Sequence, residues 1–213
     1  MTATSCSEPA GEPDRRERRR RAILAAAKQL FLERGFEAVS LSEVVRCSGG
    51  SLTTLYDLFE SKLGLLRAVV ASERFDGIGR IDAIVARNDD PIATLDSIAG
   101  EIHDELLRPD AIGLMRVVMG ESLRNPEFAQ AVYAVAHVPF VDRLARIFAV
   151  WDATAKARMA EPRRAAEIFI GLVLHGAHMS AMFGGNCGIS PQEREDRIRE
   201  ATRLFLAGYG VHA

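Results

Sequence analysis

A chain of 213 residues, 48% apolar and carrying a net charge of −2, can bury a sizeable core, which excludes a wholly disordered polypeptide. Its three cysteines, Cys6, Cys47 and Cys187, are odd in number and form no Cys-x-x-Cys pair, which argues against a disulfide framework or a zinc ribbon. No uninterrupted apolar run approaches a membrane span and no apolar signal-peptide stretch opens the chain, so the expectation is a soluble cytoplasmic protein with no membrane partner.

Residues 1–14, rich in Thr, Ser, Glu, Pro and Gly, have little to bury and are expected to form a disordered tail. Charge is unevenly spread beyond it: from Arg15 to Arg67 eleven Arg and Lys face six Asp and Glu, and most of the excess lies in Arg15–Arg21. Such a basic arm can follow a phosphate backbone, adding affinity as counterions are released, while the plainer reading is a solvated helix end. In the helix it leads into, Ile23, Ala27, Leu30 and Phe31 recur at helical spacing, and Gly35 ends the run so that Phe36 can fold back on Phe31.

Ser40 followed three residues later by Glu43 is a capping box and starts a second short helix. Ser48-Gly49-Gly50 is a sharp turn, and Ser51 caps a third helix in which Leu52, Leu55, Leu58 and Phe59 make an apolar stripe. Thr53, Thr54, Tyr56 and Asp57 fall largely on its other faces. Two short helices about a glycine turn have the layout of a helix-turn-helix, whose second helix enters the DNA major groove.

Ser61 caps a connecting helix from Lys62 to about Arg74, with Gly77 and Gly79 at its far end. Further helices are expected from Pro91 to about Leu107, from Ala111 to Arg124, and from Pro126 to about Ala155 with a kink at Pro139. Two more run from Pro162 to about Phe183 and from Pro191 to about Leu206, separated by a glycine-rich loop. The segment 168–174 is apolar all round and needs burial on two sides, one of them most simply a second copy of the chain. The fold class is therefore all-α: a tail over 1–14, a three-helix helix-turn-helix domain over 15–61, a connecting region over 62–87, and a helical ligand-binding and dimerisation bundle over 88–213.

The ordered set Arg21 to Ala27, Leu30 to Phe36, Ser40 to Glu43, Gly49, Ser51, Thr54-Leu55-Tyr56, Phe59 and Ser61-Lys62-Leu63 resembles the TetR family of one-component transcriptional regulators. The segment Leu114 to Glu127 is similar to the regulatory half of AcrR-like and AefR-like members. The chain departs from the family pattern at Val45, where Ala is common, and in the turn, which reads Ser48-Gly49-Gly50 where Ala-Gly-Val is usual. Leu58 replaces a phosphate-touching aromatic or His, and Asp57 brings negative charge toward DNA.

The resemblance implies a homodimer, usually a repressor, on a palindromic double-stranded DNA operator. It assigns Ser40, Ser51, Thr54, Tyr56 and Lys62 to phosphate positioning, and Arg46, Leu52 and Thr53 to the groove-facing side. Lys62 sits at a helix N-terminus, where the dipole disfavours a cation, and a phosphate would explain it.

Met115, Val118, Met119, His137, Phe140, Trp151, His175, Met179 and Met182 are the adaptable or amphipathic side chains of the regulatory half, suited to a small, largely apolar effector. Residues of these types are also ordinary core. The dimer contact is placed on Ile168, Gly171, Leu172, His178, Ile198, Ala201, Thr202 and Phe205, as a four-helix interface. His175 and His178 have a spacing compatible with a metal but no completing ligand, and Cys47 beside Arg46 reads as a small buried filler. A metal-, redox- or pH-responsive regulator built on these residues is the competing reading. No nucleophile elbow, phosphate loop, dinucleotide fingerprint or His-Glu-x-x-His run occurs, so no enzyme, cofactor or metal is expected.

Overall fold

The computed structural model describes residues 15–88, 90–185 and 190–210; the tail 1–14 with Cys6, and the loop residues 186–189 with Cys187, lie outside them. The described residues hold α-helices and no strand. They fall into two compact units divided between Leu65 and Leu66.

The first unit comprises α1 (Arg15–Ala38), α2 (Leu41–Ser48), α3 (Leu52–Phe59) and the start of α4 (Lys62–Arg87). Regular α1 geometry is interrupted at Gly35, at φ 77°, beyond which Phe36 returns to pack on Phe31 with ring centroids 5.4 Å apart. Ile23, Ala27, Leu30 and Phe31 are buried as the helical spacing requires, together with Val44, Leu55 and Phe59 from α2 and α3. Gly64 is fixed by contact: a Cβ there would stand 2.0 Å from the Phe59 carbonyl oxygen, so only hydrogen fits where α4 starts against the end of α3.

In the second unit follow α5 (Pro91–Leu106), α6 (Pro109–Ser122), α7 (Pro126–Ala136), α8 (Val138–Ala153), α9 (Pro162–Met182) and α10 (Pro191–Tyr209). Proline at the first helical position opens α5, α6, α7, α9 and α10, where its missing N–H costs no hydrogen bond. Asp90, Asn125 and Ser190 cap α5, α7 and α10 through side-chain oxygens. The core joins Ile98 and Ile102 of α5, Phe148 and Trp151 of α8, Phe169 of α9 and Phe205 of α10. Arg194 ties α10 to α5 through a two-pronged pair with Asp104 at 2.5 Å.

Two sequence expectations change. The connecting helix does not stop near Arg74 but continues to Arg87 through Gly77 and Gly79. Its extension is anchored by Ile81, fully buried in the core with Ile84 and Val85 against it, which outweighs a penalty of about 1 kcal/mol per interior glycine. The single kinked helix from Pro126 to about Ala155 is instead α7 and α8, broken at His137, because Pro139 has no N–H to give the carbonyl four residues back.

By length and composition α9 is long and apolar enough to cross a membrane, although Glu167, His175 and His178 interrupt its apolar residues. Its Phe169 and Val173 face the core, and Ile168, Leu172 and Met179 lie exposed on another side.

Candidate nucleic-acid interface and ligand cavity

Backbone demands at the start of α2 are met reciprocally. Glu43 N–H donates to Ser40 Oγ at 3.2 Å and Ser40 N–H donates to Glu43 Oε2 at 2.8 Å, while Arg34 Nη1 reaches Glu43 Oε1 at 2.7 Å. The Ser40 backbone donor, then its hydroxyl, then Arg34 hold the Glu43 carboxyl below the usual carboxylate range. At the turn, Gly49 and Gly50 adopt φ 75° and 99°, a region costly for any residue with a Cβ. The Arg19 guanidinium from α1 covers this turn and donates to Ser48 O at 3.1 Å, satisfying a carbonyl at the C-terminal end of α2.

Ser51 Oγ accepts from Thr54 N–H at 3.2 Å and lies 3.0 Å from Thr54 Oγ1, so Ser51 and Thr54 together start α3. Leu55 and Phe59 are buried, which turns Leu52, Thr53, Tyr56 and Asp57 outward; Tyr56 is 50% exposed. The outward surface offers an apolar group, a hydroxyl with a methyl, and a phenol. That set can contact a thymine methyl, base edges and phosphate oxygens.

Of the residues assigned to DNA, Ser40, Arg46, Ser51, Leu52, Thr53 and Tyr56 are exposed, and Thr54 and Lys62 are half-buried. Lys62 has partners of its own: Nζ stands 4.4 Å from the Phe36 ring centroid and donates to Glu37 O at 3.3 Å. These contacts hold the Lys62 cation at this helix start in the free chain.

The basic arm is the opening of α1 itself. Arg19 is engaged at the turn, Arg20 lies over the Phe59 ring, and Arg21 pairs with Glu17 at 3.1 Å. Sequence reasoning missed the Arg19 contact because the partners are 29 residues apart. Cys47, expected as buried filler, is exposed.

In the second unit a cavity of about 70 Å³ lies among α4 to α8, against about 10–15 Å³ for a single water on the same measure. Its apolar wall is Val70 of α4, Ile102 and Leu106 of α5, Leu114, Met115 and Val118 of α6, Val132 of α7 and Phe140 of α8. The other wall is charged: Glu73 and Arg80 of α4, Glu101 and Glu105 of α5, and Arg108 in the α5–α6 connection. Arg80 binds Glu101 and, at 2.6 Å, Glu105. Arg108 reaches Glu105 at 3.2 Å, Glu73 at 3.5 Å and Asp110 at 3.0 Å. Hydrogen bonding to Asp110 raises the Arg108 guanidinium above its usual value.

Three of the nine residues assigned to a ligand, Met115, Val118 and Phe140, line this cavity. Met119 points to solvent, His137 stacks on Tyr133, and Trp151 packs against Phe148 inside the core. His175 and Met179 lie on the exposed face of α9, and Met182 packs on Leu107, Ile112 and Ala181. Side-chain type singled these residues out, but helix rotation decides which of them turn toward the cavity.

The dimer assignment changes in the same way. Ile168, Gly171 and Leu172 are exposed on α9, and His178 is half-buried. On α10 the chosen stripe Ile198, Ala201, Thr202 and Phe205 is buried in the chain's own core, with Phe205 5.0 Å from Phe169 ring to ring. The exposed residues of α10 instead include Arg197, Leu204 and Gly208, beside the charged Asp196, Arg199, Glu200 and Arg203. Among the described residues no group of three or more His, Cys, Asp or Glu is placed to hold a metal.

Comparison with known proteins bears on both units. Residues 23–69 match the family described as bacterial regulatory proteins of the tetR family, and residues 93–211 match the AefR-like transcriptional repressor C-terminal domain. The chain is 28% identical over 158 residues to the HTH-type transcriptional activator FasR of Mycolicibacterium smegmatis, covering 74% of this chain and 68% of that one. It is 29% identical over 111 residues to the HTH-type transcriptional regulator UidR of Escherichia coli strain K12, covering 50% of this chain and 53% of that one. A crystal structure described as a TetR-family transcriptional regulator of Mesorhizobium loti superposes with a TM-score of 0.85 at 25% identity, over 93% of this chain and 100% of that one.

Proposed function

This chain belongs to the TetR family of transcriptional regulators, and we propose that it binds a palindromic operator as a homodimer, represses from it, and is released by a small, largely apolar effector. The observation that carries this reading is the geometry of α3, whose inner Leu55 and Phe59 turn Leu52, Thr53 and Tyr56 outward from a capped helix start. A helix presented so can enter a major groove, with Tyr56 and Ser51 on phosphate and Leu52 and Thr53 on base edges.

The exposed stripe of Ile168, Gly171, Leu172 and Met179 on α9, with Leu204 on α10, supports the second copy. Ile168 and Leu172 remain 41% exposed in the single chain, and a twofold partner would remove them from water. The cavity supplies the effector site. A ligand that binds better to an opened cavity shifts the bundle, and through α4 it alters the separation of the two reading heads. A coupling of about 1–3 kcal/mol would weaken DNA binding about 5–150-fold.

Selection from a pool of random DNA duplexes tests the DNA reading: an inverted repeat should be enriched, and Thr53→Ala with Tyr56→Ala should lose it while keeping helical content and oligomeric size. Absence of any enriched repeat, or unchanged binding by the double variant, would overturn it. Sedimentation of the native chain against Leu172→Glu tests the dimer, which the added charge should split. A native chain that sediments as a monomer would refute that part.

A further inference from the structure

We infer that Arg19 is a positioning residue for DNA reading: its guanidinium, bonded to Ser48 O and laid over Gly49 and Gly50, fixes the turn from which α3 leaves α2. This deepens the DNA reading given above and rests on it.

Arg19 Nη1 donates to Ser48 O at 3.1 Å, and within the turn Ser48 Oγ donates to Gly49 O at 3.2 Å. The turn is thus tied both from α1 and from inside. A Cβ at Gly49 would stand 3.2 Å from Arg19 Nη1, and one at Gly50 would stand 3.3 Å from Nη1 and Cζ and 3.4 Å from Nε. Three atoms of one plane at nearly equal distance from the Gly50 position mean that the guanidinium turns its face, not its edge, to the backbone. A flat group lies so close only where no side chain intervenes. The next residue of α1, Arg20, lies over the ring of Phe59, the last residue of α3, at 5.9 Å from its centroid. Neighbouring arginines of α1 therefore touch the turn before α3 and the aromatic that ends it.

Little chain separates this contact from the proposed base-reading residues. Ser51 caps α3 directly after Gly50, and Leu52 and Thr53 follow it. A tilt of the turn passes to both, with no flexible segment to absorb it. Contacts to base edges demand close geometry, whereas attraction to phosphates tolerates displacement, so a loosened turn should lose sequence discrimination before general affinity.

The ratio of affinities for two duplexes tests this: the inverted repeat enriched by the full-length native chain, and a scrambled duplex of the same composition. Gel shifts of Arg19→Met well below its melting temperature should show that ratio lowered about tenfold. Arg19→Lys keeps the charge but has no planar group to cover both glycines, so it should lower the ratio too, by less. That second variant carries the test where Arg19→Met fails to fold. A phosphate contact alone would instead weaken both duplexes together in Arg19→Met, reduce the slope of log affinity against log salt by about two for two heads, and be restored by Lys. That pattern would overturn the positioning role, as would a ratio unchanged in both variants, the result expected of a residue that serves stability alone. Gly49→Ala should lower the ratio in the native background and add less in Arg19→Met, where no guanidinium remains to be pushed aside; fully additive losses would also overturn it. Should the native chain enrich no repeat, the DNA reading falls and this role with it, whereas an enriched repeat with unaltered ratios removes the role of Arg19 only.

Discussion

The reading head and the regulatory bundle are both helical, yet they are specified in different ways. In the head, hydrogen bonds across three residues fix where helices begin: Ser40 with Glu43, and Ser51 with Thr54. In the bundle, the site is assembled from partners far apart in the chain: Arg80 with Glu101 across 21 residues, and Arg108 with Glu73 across 35. Local grammar shapes the surface proposed to face DNA, whereas long-range packing shapes the cavity proposed for an effector. The contrast implies that the head is sensitive to single backbone atoms and the bundle to charge and to balanced packing.

The sharpest way to break that contrast is Gly64→Ala. The new Cβ would meet the Phe59 carbonyl oxygen at 2.0 Å, a backbone atom with no rotamer to yield, so the loss should be about 3 kcal/mol. Gly79→Ala in the same helix meets nothing within 4 Å and should instead stabilise by about 0.5–1 kcal/mol. Urea denaturation of the two variants beside the native chain measures both. Equal and small effects would mean that the junction of α3 and α4 is not held as described.

Ser51→Ala comes next. It removes the acceptor for Thr54 N–H at the first turn of α3 and should cost about 1 kcal/mol, with weaker operator binding because α3 frays at the end proposed to meet DNA. Circular dichroism melts and gel shifts on the selected repeat would show the two losses together. A lower melting temperature with undiminished DNA affinity would separate the cap from the interface.

These caps account for what the sequence makes legible. Ser40, Glu43 and Ser51 act on neighbours three residues away and Gly49 through its own backbone angle, so their meaning survives without knowledge of the fold. The family resemblance extends over the same stretch. The cavity is different: Met115, Val118 and Phe140 could be chosen by residue type, but nothing local distinguishes them from Met119 or Trp151. Only the rotation of α6 and α8 within the bundle sends the first group to the cavity, Met119 to solvent and Trp151 to the core. Charged walls are harder still, since Glu101 and Glu105 look like ordinary helix-surface residues until Arg80 arrives from α4. On α10 the apolar stripe was legible, but an apolar stripe can serve the chain's own core or a partner, and here Phe169 and Phe148 claim Phe205.

A smaller effect distinguishes the bundle by pH. Burial strips water from the His103 imidazole and holds its pKa below the ordinary value, with Arg194 and Arg197 acting in the same direction and Asp104 opposing. Unfolded histidine titrates near about 6.5. As pH falls through that value the unfolded chain takes up a proton that folded His103 refuses, so its contribution to stability is present above about 6.5 and lost below. Melting temperatures from pH 7.5 to 5.5 should therefore fall more steeply for the native chain than for His103→Leu. Parallel slopes would assign the pH response to other groups.

The smallest expected change is a gain. Thr202 is buried in α10 with its hydroxyl lacking a hydrogen-bond partner among the described residues, so folding removes that group from water. Thr202→Val keeps the shape and replaces the hydroxyl by a methyl, which should raise stability by about 1 kcal/mol. The variant also discriminates between the two fates of the α10 stripe. If Thr202 lies inside the chain's own core, urea titration shows a shift independent of protein concentration, and the oligomeric state is unchanged. If instead the hydroxyl faces a second copy, the substitution alters the association constant, and its effect on unfolding varies with concentration.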